Sequence, residues 1–288
     1  MLRGMARKAR LAIIGAGNLG TALTLSLRDA GFAIGSMIAR SPASLRNARK
    51  VAKQVGGEAS IDPRSITAKW IWFCVPDSKI AGAAFSFAEQ MEWKGRVALH
   101  SSGVLTSDAL EVLRRRGAVV ASVHPLMTFV RRSRPSLAGV PFAIEGDQSA
   151  VRVARRLVRG LGGRAFSIRK KEKSAYHAWG TFASPLMTAL LATAEEVAVM
   201  AGVSRKEART RAIPILRQTL ENYAAYGAPD AFSGPFIRGD LGTVQRHLRV
   251  LEGAPVAGGV YTALARAALE YLPAENKSAV KRILASRR

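Results

Sequence analysis

Leu11-Ala12-Ile13-Ile14-Gly15-Ala16-Gly17-Asn18-Leu19-Gly20 governs how the rest of the chain is read. Four consecutive apolar residues form a buried strand, and the glycines after them match G-x-G-x-x-G ahead of a helix that closes at Gly31. Each glycine has a physical task in that context. Gly15 permits the tight turn, Gly17 lets the backbone approach a pyrophosphate, and Gly20 allows close helix packing, with the phosphates against the helix N-terminus. Asn18 and Leu19 complete the turn and are counted with the cofactor-binding residues.

Outward from this turn, short apolar runs alternate with amphipathic stretches as far as Ile168. Ala33–Ala39, Trp70–Val75, Val97–His100, Val119–Val123, Phe142–Ile144 and Ala165–Ile168 read as strands. Helices are expected over Pro42–Val55, closed by Gly56, and at roughly 106–116 and 149–161. Such alternation implies an α/β, doubly wound, mostly parallel Rossmann sheet over residues 1–169. After Lys170 the strand signals stop. Glu172–Ala201 reads as one long helix, with a kink possible at Pro185, which removes the usual partner of the Thr181 carbonyl. Ser204-Arg205-Lys206-Glu207 is a capping box that opens a helix to about Tyr226. Leu241, Val244, Leu248 and Leu251 mark a third helical face, and Tyr261–Leu272 a fourth. Residues 170–288 are therefore expected to be an all-helical substrate and dimerisation domain.

The nucleotide is read from the end of the second strand. Domains that prefer NAD carry an Asp or Glu about 20 residues after the glycine turn, where it holds the ribose hydroxyls. Arg40-Ser41 stands there instead, a guanidinium and a hydroxyl suited to a 2′-phosphate. NADP(H) is expected in preference to NAD(H). Val75-Pro76-Asp77 follows the third clear strand, where the backbone passes the nicotinamide ribose, and Asp77 reads as a helix N-cap.

Candidate chemistry gathers at further strand ends. His100-Ser101-Ser102-Gly103 closes one strand and His124-Pro125-Leu126 the next. Lys173, His177, Gly180 and Ser184 share one helical face. A lysine there can donate a proton to a carbonyl or imine, with His177 or His124 assisting. Ser101, Ser102, His100 and Ser184 are the substrate-positioning candidates. In Ser233-Gly234-Pro235-Phe236-Ile237-Arg238-Gly239-Asp240, Arg238 is suited to a carboxylate and Asp240 to an N-cap or a substrate contact. No metal site is expected.

Composition narrows the partners. Lys and Arg total 44 against 20 Asp and Glu, a net charge of +24, which favours anionic partners. The basic residues are scattered over the chain, so nucleic acid is not expected and a small anionic substrate is. Lys281, Arg282, Arg287 and Arg288 read as a solvated tail. The single cysteine, Cys74, gives no disulfide framework, and Met1–Arg10 is basic and leads straight into the glycine-punctuated segment with no apolar h-region of a secretory signal. Phe182–Met200 is apolar but carries Pro185, Glu195 and Glu196, which fits a buried helix better than a membrane span. The expected setting is cytoplasmic.

His-Ser-Ser-Gly, His-Pro-Leu, Tyr176-His177, Gly-Pro-Phe-Ile-Arg-Gly-Asp and Thr243-Val244…His247-Leu248 together resemble a bacterial family. That family is described as Rossmann-like with a C-terminal domain of unknown function. It lies within the superfamily of 6-phosphogluconate dehydrogenase, β-hydroxyacid dehydrogenases, ketopantoate reductase, pyrroline-5-carboxylate reductase and prephenate dehydrogenase. The resemblance implies a helical domain that dimerises and a lysine general acid at Lys173. It also implies a His124-Pro125 pair similar to the substrate-contacting His-Pro of prephenate dehydrogenases. One position departs from the pattern: an asparagine is expected where Ser184-Pro185 stands. The function expected is hydride transfer to or from a small carboxylate-bearing carbonyl, imine or alcohol. The alternative is a non-catalytic NADP(H)-binding sensor.

Overall fold

A computed structural model describes residues 11–131 and 133–285. The chain divides into two compact units, the first running to Thr181 and the second from Phe182 onward.

The first unit alternates strands and helices. In chain order these are β1 (Leu11–Ile14), α1 (Asn18–Asp29), β2 (Ile34–Ile38), α2 (Pro42–Val55), β3 (Glu58–Ser60) and β4 (Trp70–Phe73). They continue with α3 (Asp77–Gln90), β5 (Val97–His100), α4 (Glu111–Arg115), β6 (Val119–Pro125), β7 (Pro141–Gly146), α5 (Gln148–Gly160), β8 (Arg164–Ser167) and α6 (Lys173–Thr181). Among the described residues the strands make one sheet in the order β3-β2-β1-β4-β5-β6-β7-β8. The order runs outward from β1 in both directions, as the alternating pattern implied. All pairings are parallel except β6 with β7. There residues 126–140 bring the chain back to the strand end it has just left, and Leu126 N–H donates to the Pro141 carbonyl. The next strand therefore runs in the opposite sense.

Continuous apolar character along β1, β4 and β5 reflects burial on both faces. Leu11 and Ile13 pack with Leu23, Leu27, Leu157 and Val158 on one side. Ala12 and Ile14 pack with Ile80, Phe87 and Leu113 on the other. Local chemistry sets the helix ends. Ser41 caps α2 by accepting from Ser44 N–H, Pro42 occupies its first turn, and Gly56 closes it at φ 67°.

The second unit holds α7 (Met187–Met200), α8 (Arg205–Ala231), α9 (Leu241–Val250), α10 (Pro255–Tyr271) and α11 (Lys277–Ala285). Its core is built from α9, α10 and α11 around Val244, Leu248, Ala265, Leu269, Val280 and Leu284. The Ser204–Glu207 capping box opens α8 as expected. Ion pairs Arg205–Glu196 and Arg209–Glu195 tie α7 to α8. Yet α7 buries no residue and α8 only Ala208.

Several expectations change. The long helix from Glu172 is interrupted: α6 gives way to a π-helical turn over Phe182–Leu186 containing Pro185, and only then to α7. Asp77 does not cap α3; it is that helix's first residue, and its carboxylate faces Ser102 instead. Lys281 and Arg282 are not tail residues but lie on α11, which buries Val280 and Leu284. Arg287 and Arg288, like Met1–Arg10, lie outside the described residues. One described helical stretch, residues 170–200, is long and apolar enough to cross a membrane by length and composition.

Candidate functional site

Four adjacent parallel strands end at one edge of the sheet, and the candidate residues of the first unit follow those ends. In open α/β sheets this is where ligands bind. Gly15 follows β1, Cys74-Val75-Pro76 follows β4, His100 ends β5 with Ser101–Gly103 after it, and His124-Pro125 ends β6.

The glycine turn is shaped as a cradle. Gly15 has φ +101°, and a Cβ there would stand 2.6 Å from the Cys74 carbonyl oxygen. A Cβ on Gly20 would lie 2.0 Å from the Gly15 carbonyl oxygen, so α1 comes as close to the turn as a glycine allows. At Gly17 the opposite holds: nothing lies within 4 Å of an added Cβ. Two glycines are thus demanded by the protein's own packing, and the middle one faces open space that a pyrophosphate fits. Leu19 packs into the core, so what it offers to a ligand is backbone. Asn18 donates its side-chain amide to the Phe129 carbonyl, which tethers the 126–140 connection at the start of α1. Asn47 of α2 donates to the Ala16 carbonyl and braces the turn from the other side.

Arg40 follows β2, exposed, with no carboxylate in ion-pair range among the described residues. The Ser41 hydroxyl is engaged in capping α2. Val75 packs against the core beside α3, and Pro76 leads into that helix.

The residues after β5 form a closed polar web. His100 is fully buried, and both ring nitrogens meet backbone: Nδ1 accepts from Ser102 N–H, and Nε2 donates to the Thr106 carbonyl. It orders the 100–106 turn and has no ring nitrogen to spare for a substrate. Ser101 accepts from Trp72 Nε1, and Ser102 donates to Asp77 Oδ2. Ser107 N–H and Oγ both bind the Glu145 carboxylate of β7.

Lys173, at the start of α6, is 1% exposed. Its Nζ donates to Ser122 Oγ at 2.7 Å and to the Ser102 carbonyl at 3.1 Å. Burial pushes its pKa down to about 8, against the attraction of Glu145 and Asp77. One turn further along α6, Tyr176 and His177 reach His124. Tyr176 OH lies 3.2 Å from His124 Nδ1, and the rings of His124 and His177 are 6.0 Å apart. Burial, then the charges of Lys173, His177 and His100, push the His124 pKa down to about 4, and burial pushes Tyr176 up to about 12. Gly103 lies beneath both imidazoles, since a Cβ there would stand 2.3 Å from His177 Cδ2 and 2.8 Å from His124 Nε2.

Lys173, His124, His177 and Ser102 are thereby brought together. Ser184, Arg238 and Asp240 belong to the second unit. Ser184 sits in the π-helical turn, Arg238 is exposed, and Asp240 accepts from Thr243 N–H and Oγ1 as the N-cap of α9. Reading the residues one by one missed Ser122, Gly103 and the pairing of Tyr176 with His124. Ser122 follows an ordinary apolar strand pattern, and a lone tyrosine beside a histidine carries no spacing signal.

Comparison with known proteins agrees with the fold. The class is a Rossmann-like domain, whose family model matches residues 3–125. A second model, the domain of unknown function DUF2520, matches residues 140–268, so the chain combines a Rossmann-like domain with a DUF2520 domain. No curated protein matches the sequence. Among solved structures, a candidate NADP oxidoreductase from Bacteroides fragilis is similar at TM-score 0.76 and 22% identity, over 90% of this chain and 97% of that one. A protein from Thermotoga maritima gives 0.69 and 23%, over 90% and 97%. A reductive aminase from Aspergillus terreus, solved with NADPH and ethyl-5-oxohexanoate, gives 0.67 and 16%, over 94% and 97%.

Proposed function

We propose that the protein is an NADP(H)-dependent oxidoreductase acting on a small anionic carbonyl or imine compound, or on the corresponding alcohol or amine. One observation carries the reading: a glycine cradle with an open middle position follows β1, and α6 brings a buried lysine and His177 to His124 of β6 and to the residues that follow β5. A nicotinamide bound there supplies or accepts hydride at its C4. Lys173 holds the proton that the substrate heteroatom gains or loses, and His124 and His177 orient that heteroatom. Ser102 and Ser122 hold Lys173 in place. Arg40 is assigned to the 2′-phosphate. The nucleotides that two structural relatives are described with, NADP and NADPH, support the cofactor.

The test is a titration with NADPH and NADH followed by nicotinamide fluorescence, on wild type and Arg40→Asp, and then NADPH consumption on a panel of oxo acids and imines. NADPH binding that weakens in the variant, with turnover on the panel, is expected. Binding without turnover favours a sensor, and no binding of either nucleotide overturns the reading.

We also propose that the helical unit pairs with a second copy. The stretch of α8 from Arg205 to Tyr226, before the non-helical Gly227, buries one residue and so lacks the packing that normally stabilises helices, and Ile213, Ile215, Leu220 and Tyr223 stand exposed along it. The apolar helix α7, which buries no residue, is then part of the interface. Light scattering at micromolar concentration without detergent is expected to give twice the 30.8 kDa chain mass. A monomer overturns this.

A further inference from the structure

We propose that Tyr176 locks His124 in the form protonated at Nε2, so that the site presents hydrogen-bond donors and takes a substrate whose reacting atom is an acceptor, a carbonyl oxygen or an imine nitrogen. This rests on the oxidoreductase reading for its substrate and on geometry alone for the imidazole.

The geometry is as follows. Tyr176 is 8% exposed, wedged between the rings of His124, Phe166 and Trp179 at centroid distances of 5.5, 5.9 and 6.0 Å. Its hydroxyl has one hydrogen-bond partner among the described residues, His124 Nδ1 at 3.2 Å. Burial keeps that hydroxyl protonated, so its proton needs an acceptor, and a buried donor left without one is costly. Nδ1 supplies the acceptor only if it carries no proton. The ring proton of the neutral imidazole then resides on Nε2.

Nε2 is the nitrogen on the Gly103 side of the ring, where the absence of a Cβ leaves space. Among the described residues no acceptor lies within hydrogen-bond distance of it. Lys173 is likewise a donor, with both of its protein partners acting as acceptors. A carbonyl or imine accepts from such a pair. An alcohol would need a base to take its proton; His124 with Nδ1 engaged and Nε2 protonated offers none, and Lys173 is one only after it has lost its own proton. The groups facing His124 are Tyr176, His177, Lys173 and His100, none of them a carboxylate. No neighbour therefore draws the ring proton to Nδ1. Tyr176 acts through His124 and is a positioning residue.

The experiment is two-bond nitrogen–proton correlation spectroscopy of the full-length protein labelled with ¹⁵N histidine at neutral pH. The chain has four histidines, and the signals that vanish in His124→Gln identify the ring. A pyrrole-type Nε2 with a pyridine-type Nδ1 is expected in wild type, and a mixture of both tautomers in Tyr176→Phe, which keeps the packed ring. A pyrrole-type Nδ1 in wild type overturns the proposal, and so does a Tyr176→Phe spectrum identical to wild type. In turnover, Tyr176→Phe is expected to lower kcat/KM for reduction about tenfold, chiefly through KM. A kcat/KM for reduction unchanged in Tyr176→Phe overturns the role of Tyr176 in turnover. Because the spectra require neither nucleotide nor turnover, failure of the oxidoreductase reading leaves them interpretable.

Discussion

Lys173 Nζ and Ser122 Oγ are 2.7 Å apart inside the first unit, and no carboxylate pairs with that lysine among the described residues. A buried ammonium held by two neutral acceptors gives up its proton more readily than a solvated one, hence a pKa of about 8. If the protonated lysine is the donor, kcat/KM for reduction stays level below pH 8 and falls about tenfold per unit above it. Lys173→Met is expected to lose at least about 100-fold in turnover. It is expected to keep or gain thermal stability below pH 8, since an apolar chain of similar length replaces a buried charge. A profile unchanged through pH 9.5 counts against the assignment.

Acid is expected to destabilise the first unit through its histidines. Burial depresses both His100 and His124 from 6.5 to about 4. Between those values the unfolded chain binds protons that the folded chain does not. The stability contributed by the neutral rings is therefore whole above pH 6.5 and lost as pH falls toward 4. Melting curves from pH 7.5 to 4.5 should show Tm falling through this window. His124→Gln should flatten the fall, and an equal fall in the variant would show that His124 has no part in it.

Gly17 and Gly20 are expected to fail differently. Gly20→Ala forces a Cβ to 2.0 Å from the Gly15 carbonyl oxygen and should lower Tm even without nucleotide. Gly17→Val meets open space, so Tm should change little while NADPH affinity drops about 100-fold, because the side chain occupies the room a pyrophosphate takes. Calorimetry with and without NADPH separates the two. Equal destabilisation of the nucleotide-free protein by both variants would contradict the cradle geometry.

Gly103→Ala tests the floor beneath the two imidazoles. The added methyl requires His177 and His124 to move by the order of 1 Å, and displacements of that size cost about 100-fold in turnover. NADPH binding should be unaffected, because Gly103 lies after β5 and not in the turn after β1. Wild-type turnover in the variant would remove these rings from the chemistry.

The turn after β1 was legible because three signals coincide within ten residues: an apolar run, fixed glycine spacing and a helix start. By contrast, a helix was read to open at Asp77 but its extent as α3 was not legible. Its buried face is Ile80, Ala84, Phe87 and Ala88, and alanines and glycine on the remaining faces blur the period. The three-residue β3 is too short to leave a pattern, and α11 hid behind the charges of Lys281 and Arg282. The reversal at β7 follows from where residues 126–140 return the chain, which strand composition does not encode. For the site, Lys173 and the histidines were visible as residue types at strand and helix ends. Tyr176, Ser122 and Gly103 matter through distances across more than fifty positions of sequence or through an absent side chain, and neither leaves a local signature.

The π-helical turn at Phe182–Leu186 has a consequence for aligning this chain with its relatives. A π turn holds one residue more than the α-helical turn it replaces, so the helix beyond it is rotated by about 100° relative to an uninterrupted one. Counting in threes and fours from Lys173 places Ser184 on the face of His177, but that count assumes a constant period. A single-residue gap belongs within 182–186 wherever a relative keeps its helix regular. The gap restores the phase of the alignment but not the asparagine expected at Ser184-Pro185, since none stands between Asn47 and Asn222.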